Sequence, residues 1–163
     1  MTIQGLLPKL SKALKGLVAL YLLVTSIGFL SALQFVQVTT EGTPQGIQEN
    51  YLGNEADLEA RELKFAKSER QILNIVHAHM LSMGMLFFIL AILIATTPLS
   101  GFWRKVLMLE PLVSVLLTFG GIYWLYKKVL WMKYVIMCSG ILMTLSYVVS
   151  TAVITYWLLK KPV

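Results

Sequence analysis

The sequence has few charged residues. Asp, Glu, Lys and Arg make up only 13% of its 163 residues, whereas they make up about 25% of an average soluble domain. Apolar residues make up 57%, and the mean hydropathy is +0.73. A chain of this composition has too little charge to cover a water-facing surface, so a soluble enzyme is disfavoured and a membrane protein is indicated.

Cysteine and catalytic motifs are also scarce. Cys138 is the single cysteine, which excludes an intrachain disulfide and a CxxC redox or zinc motif. Its apolar surroundings predict a small core residue. The sequence contains no GxSxG, phosphate-binding loop, HExxH or CxxCH motif, each of which would indicate a known chemistry. No catalytic residue is predicted, which favours a protein that is not an enzyme on its own.

Four apolar runs are long enough to cross a bilayer, which takes about 20 residues per helix. They cover about 16–38, 72–96, 106–126 and 134–159. We therefore predict an all-α fold in which a four-helix transmembrane bundle forms a single domain over 1–163. The first run follows three lysines, but it is longer than the apolar core of a signal peptide and is interpreted as a retained span.

One segment outside the membrane is sizeable, the external loop of about 30 residues at 39–70. Its first half is rich in Gly and Pro and predicts irregular structure. Its second half has mixed charge and predicts a short surface helix. Ser68 and Gln71 have the spacing of a capping box, which predicts that the second span begins at Ser68. We expect the loop to dock on the bundle through apolar anchors, namely Tyr51, Leu58, Leu63 and Phe65.

Most of the fourteen cations lie at the ends of the apolar runs, where they anchor helices at the lipid headgroups. This placement, despite the net charge of +6, disfavours a nucleic-acid partner. The side that holds both termini and the 97–105 loop has seven of these cations, and the opposite short loop has three. By the positive-inside rule, we predict a bacterial inner-membrane protein with both termini in the cytoplasm. The seven are Lys9, Lys12, Lys15, Arg104, Lys105, Lys160 and Lys161, and the three are Lys127, Lys128 and Lys133.

His77 and His79 are the only histidines, and both lie in the second span. Ionisable groups inside a membrane are costly and mark functional sites, and imidazole is a common haem and metal ligand. Positions i and i+2 lie about 200° apart around a helix, so the two rings cannot bind one iron from both sides within one chain. Either one histidine binds haem b or a metal, or two protomers each contribute one.

Neighbouring side chains distinguish the two faces of this helix. His77 shares its face with Asn74 and Gly84, and the glycine leaves room for a planar haem. His79 shares its face with Met83, and Met80 follows His77 by three residues. Imidazole with a thioether suits copper(I), so Met80 and Met83 are candidate co-ligands and copper is the alternative to haem b. Hydrogen bonding of the imidazoles across helices, or a quinone or proton-relay role, are the other interpretations.

Glu110 is the only acid within a span, and Pro111 follows it. We expect its carboxylate to reach the cytoplasmic interface and to pair with Arg104, Lys105 or a terminal lysine. A role in proton entry is the alternative.

The run ILNIVHAHMLSMG, residues 72–84, resembles the HAH-x-x-x-x-G helix of small membrane proteins related to haem–copper oxidase subunit I. It is also similar to small four-helix bacterial inner-membrane proteins that carry a Tyr-x-Gly-x-Glu loop, here Tyr51, Gly53 and Glu55, before a His-x-His helix. The resemblance covers about 40 residues and implies that His77 and His79 are the haem or metal positions. The chain departs from the oxidase-like group because its other spans contain no histidine.

Together these features predict a redox-linked membrane component that binds haem b or a metal and serves a respiratory or electron-transfer complex. The competing hypothesis is a non-catalytic membrane subunit or assembly factor whose histidines only brace helices. Besides the lipid bilayer, the expected partners are other membrane subunits or further copies of the chain.

Overall fold

The computed structural model describes residues 3–57, 60 and 62–160, and this part of the chain contains helices and loops but no strand. A short 3-10 turn at Leu7–Lys9 precedes five α-helices. They are α1 (Lys12–Thr40), α2 (Pro44–Leu52), α3 (Glu69–Ala95), α4 (Gly101–Tyr126) and α5 (Met132–Leu159).

The four-helix prediction is confirmed. Helices α1, α3, α4 and α5 are each long and apolar enough to cross a bilayer, so the chain is a multi-pass membrane protein. Each begins two to five residues before the predicted apolar run, because helical hydrogen bonding continues into polar residues at the membrane surface. The capping box is also confirmed: the Ser68 side chain accepts the Gln71 N–H, and the Gln71 side chain accepts the Ser68 N–H.

Helix α4 lies between α3 and α5 and packs closely against both. The Thr118 and Ser139 hydroxyls, both buried, are 2.7 Å apart across the α4–α5 interface. A Cβ atom on Gly121 would lie 2.9 Å from Cγ1 of Ile136, so this glycine permits the close approach that small residues give membrane helices. Gly28 and Gly140, two further small residues, have open space around them.

Helix α1 lies at the edge of the bundle. Only 11% of its most apolar stretch is buried, which is the smallest share among the four spanning helices. Its strongest attachment is aromatic: the rings of Phe29 and Tyr147 stack at 4.0 Å with an interplanar angle of 4°. The Tyr147 hydroxyl is 3.0 Å from Oγ of Ser26. These contacts join α1 to α5.

The prediction for the 39–70 segment is wrong in its order of helix and loop. The first half forms α2, because Thr43 caps it by accepting the Gly46 N–H at 2.9 Å and Pro44 occupies its first turn. These are strong helix-start signals. Gly53, with a positive φ of 77°, ends the helix.

The described residues between Gly53 and Ser68 form no helix. Their backbone groups are bonded to the chain leaving α2: the Asn54 N–H donates to the Lys64 carbonyl at 2.8 Å, and the Lys64 N–H donates to Oδ1 of Asn54 at 2.7 Å. The Lys67 N–H donates to the Tyr51 carbonyl at 3.1 Å. These bonds replace the helical ones and hold the second half extended.

The docking of this segment on the bundle is confirmed, but mostly through other anchors. Ile47 of α2 is 6% exposed and belongs to the hydrophobic core, and Tyr51 packs against this core. Lys133 donates to Oε1 of Gln48 at 2.8 Å. The predicted anchors Leu63 and Phe65 are 54% and 70% exposed, so they do not dock the segment. Leu58 lies outside the described residues.

Candidate functional site

The two histidines of α3 lie on different faces, as predicted. His77 is exposed, and so are the residues that follow it along its face, Leu81 and Phe88. This stripe faces the lipid or another protein. A neutral or charged imidazole on such a stripe is costly unless a partner contacts it.

His79 lies beside α4. Its ring packs on Phe119, with centroids 4.8 Å apart and an interplanar angle of 26°, although much of the side chain is exposed. Its Nδ1 lies 2.8 Å from the carbonyl oxygen of Ile75. A proton on Nδ1 donates to that carbonyl and leaves the Nε2 lone pair available, which is the arrangement that orients ligating histidines.

The predicted co-ligands do not join the histidines. Met80 and Met83 pack against the hydrophobic core, and Met80 approaches Gly120 of α4. Asn74 is exposed. Among residues 3–57, 60 and 62–160, no three His, Cys, Asp or Glu side chains come together as a metal site.

The prediction that Cys138 is a core residue is wrong, because its side chain is exposed. It lies with Leu117 and Leu142 along an apolar depression between α4 and α5. An apolar sequence context does not separate core from lipid-facing positions in a membrane helix, because lipid is as apolar as the core.

The prediction that Glu110 pairs with Arg104, Lys105 or Lys160 is also wrong, and the other terminal lysine, Lys161, lies outside the described residues. The two carboxylate oxygens of Glu110 accept hydrogen bonds from Ser114 of α4 and from Ser146 of α5. Arg104 instead donates to the Leu99 carbonyl at 3.4 Å. Within the described part of the chain, the single ion pair is Lys127 with Glu69, at 2.8 Å. The serines reach the carboxylate because Ser114 lies one helical turn from Glu110 and Ser146 faces it across the interface.

Tyr51, Gly53 and Glu55, the residues that carry the resemblance, lie in the last turn of α2, at its C-terminal cap and in the turn that follows. Oε1 of Glu55 accepts the Ala66 N–H at 2.9 Å, and this bond holds the pKa of the Glu55 carboxyl below its usual value. Burial raises the pKa of Tyr51 to about 12. A Cβ on Gly53 would lie 2.6 Å from the Ala66 nitrogen, so glycine is required there.

Comparison with protein families agrees with this architecture. A family model described as a transmembrane helical domain matches residues 41–163. The chain belongs to this family. The part that matches the transmembrane helical domain includes α2 to α5, with both histidines and Glu110, and leaves α1 outside. No curated protein and no solved structure matches the sequence.

Proposed function

We propose that this protein is a redox-linked component of a respiratory or electron-transfer complex and binds haem b or a metal through His79 or His77 of α3. The observation that carries the proposal is the geometry of His79. Its Nδ1 is held by the Ile75 carbonyl and its ring by Phe119, while the side chain stays accessible from outside the chain.

The exposure of both rings supports a cofactor held between chains. His77 lies on an outward-facing apolar stripe, where an imidazole needs a partner. A second copy of this chain, or another membrane subunit, would supply the second ligand. The resemblance of the His-x-His helix to oxidase-like proteins supports the same assignment.

Haem b is favoured over copper because Met80 and Met83 are used in core packing. The space beside Gly84, where an added Cβ would meet no atom within 4 Å, lies on the His77 face of α3, so it would accommodate a large planar group only at that histidine. Bound haem would supply one-electron transfer, and its axial ligand and surroundings would set the potential. The chain itself would orient the ligating imidazole and exclude water.

The decisive experiment compares His79→Ala with His77→Ala as its matched control. Because only His79 has a fixed ring orientation, we expect His79→Ala to lose nearly all bound cofactor and His77→Ala to retain most of it. The absorption spectrum and the metal content of detergent-purified protein measure this, and size-exclusion chromatography checks that both variants fold. Wild type without haem or metal, or two variants with full cofactor, would contradict the redox role.

We further propose that both termini lie in the cytoplasm of a bacterium, on the basis of the seven-to-three distribution of flanking cations. A fluorescent reporter that folds only in the cytoplasm should be active when fused to the C-terminus. A periplasm-dependent reporter should be inactive at the same position. The reverse result would invert the topology.

One observation favours the alternative, a non-catalytic membrane subunit. The ring contact between His79 and Phe119 joins α3 to α4, which is a bracing role that needs no cofactor. In that case His79→Phe, which keeps an aromatic ring, should melt at the wild-type temperature, and wild type should carry neither haem nor metal.

A further inference from the structure

The carboxyl group of Glu110 lies within the α4–α5 interface. It is nine residues from the start of α4, or roughly 13 Å along the helix axis. Hydroxyl groups of Ser114 and Ser146 contact its two oxygens, and both serines are buried. In the part of the chain that the structure describes, no Lys or Arg pairs with this carboxylate.

A carboxylate at this depth without a cationic partner carries a large desolvation cost. Its charge must be neutralised, either by a proton or by a bound cation. Two more features of the same interface distinguish these possibilities.

The first feature is an unpartnered hydroxyl. Ser150 is 1% exposed and its Oγ has no hydrogen-bond partner. Ser139 and Thr144 of α5, by contrast, bond the carbonyl four residues back, at 2.7 and 2.9 Å, whereas the buried hydroxyl of Thr151 is also without a partner. Ser150 lies one turn beyond Ser146 on the same face of α5, so its free oxygen belongs to the same α4–α5 interface, one helical turn from the contact of Ser146 with Glu110.

The second feature is a backbone carbonyl released by proline. Pro111 lies inside α4 and has no N–H, so the carbonyl of Leu107 lacks its usual helical donor. Helices α4 and α5 run antiparallel, with Thr118 opposite Ser139 and Glu110 opposite Ser146. One turn further, Ser150 lies level with Leu107. The two unused oxygens therefore occur at one level of the interface, beside Glu110.

We propose that Glu110, Ser114, Ser146 and Ser150, with the Leu107 carbonyl, form an intramembrane site for a monovalent metal cation of the sodium type. A proton would neutralise Glu110, but the Ser150 Oγ and the Leu107 carbonyl oxygen would still have no partner. A hard cation takes several oxygen ligands, and carbonyls of interrupted membrane helices are known sodium ligands. One carboxylate balances one positive charge, so a divalent ion would leave net charge in the bilayer. This site is separate from the histidines and stands independently of the redox proposal.

The test uses the purified full chain in lipid nanodiscs and dicyclohexylcarbodiimide, an apolar reagent that modifies protonated carboxyl groups within membranes. We expect Glu110 to be labelled in choline chloride and protected by sodium chloride at equal ionic strength, with Glu110→Gln unlabelled. Lithium and potassium chloride measure selectivity at the same site. The proposal would be overturned if Glu110 were labelled equally in sodium chloride and choline chloride, or if no metal cation changed the labelling.

Ser150→Ala separates ligation from packing. The variant lacks one of the oxygens that bind the cation. The sodium concentration that protects half of the Glu110 from labelling should therefore rise roughly tenfold. Ser82→Ala, which removes an exposed α3 hydroxyl bonded to its own helix, is the matched control and should leave that concentration unchanged. If Glu110 resists labelling altogether, sodium must still raise the melting temperature of wild type and not of Glu110→Gln, and failure of this result also overturns the site.

Discussion

Gly46→Ala should detach α2 from the end of α1 and destabilise the whole 39–70 segment. A Cβ atom at this position would lie 1.9 Å from the carbonyl oxygen of Thr40 and 2.6 Å from its carbon. These are backbone atoms, and the Thr40 carbonyl also accepts the Thr43 N–H at 3.1 Å. No rotation of a side chain can relieve the overlap, so the corner between α1 and α2, residues 40–46, must open. We expect a loss near the upper end of the usual overpacking cost, about 3 kcal/mol.

Thermal unfolding in detergent measures this loss, and limited proteolysis of 39–70 locates it. Gly28→Ala is the control, because Gly28 is helical and an added Cβ meets nothing within 4 Å. That variant should be at least as stable as wild type, since alanine favours helix by about 0.5–1 kcal/mol over glycine. Equal stability of the Gly46 and Gly28 variants would show that the corner is not tightly packed.

The sequence alone predicts the spanning helices and the beginning of α3. The spanning helices follow from the length of the apolar runs, because an uncharged stretch of that length has few alternatives. The beginning of α3 follows from Ser68 and Gln71, whose side chains bond each other's backbone locally. Both inferences depend only on residues that are close in sequence.

The Gly and Pro content around α2 predicts a loop, but Thr43 followed by Pro44 is the cap and first-turn pattern of a helix, and this local signal prevails. The irregular second half of the segment does not follow from propensity. Its residues are good helix formers, and bonds to residues at least ten positions away, such as Asn54 with Lys64 and Lys67 with Tyr51, override that tendency.

The candidate sites depend on information that hydropathy does not contain. That His77 and His79 diverge follows from helical geometry alone, but the stacking of His79 on Phe119 requires the register of α3 against α4. The partner of Glu110 requires the register of α4 against α5. The nearby Arg104 and Lys105 predict an ion pair, yet Ser146, 36 residues away, makes the contact.

Tyr147 is the residue on which the attachment of α1 depends most. It is 4% exposed, its ring stacks on Phe29 of α1, and it meets the edge of Phe87 of α3 at 6.3 Å. Its hydroxyl bonds Ser26 at 3.0 Å and donates to Thr25 at 3.3 Å. Because α1 lies outside the matched family domain and is the least buried helix, we expect it to separate while α3, α4 and α5 stay packed.

Tyr147→Ala should therefore release α1 at a cost of about 3–5 kcal/mol, the usual loss when a large buried aromatic is truncated to alanine. Tyr147→Phe keeps both ring contacts and loses only the hydroxyl bonds, so its cost should be about 0.6–1.7 kcal/mol, as for other hydrogen bonds between membrane helices. Hydrogen exchange in nanodiscs resolves the helices. The alanine variant should expose α1 amides selectively, and the phenylalanine variant should not. Unchanged protection of α1 in Tyr147→Ala would show that lipid contacts, and not this aromatic stack, hold the helix in place.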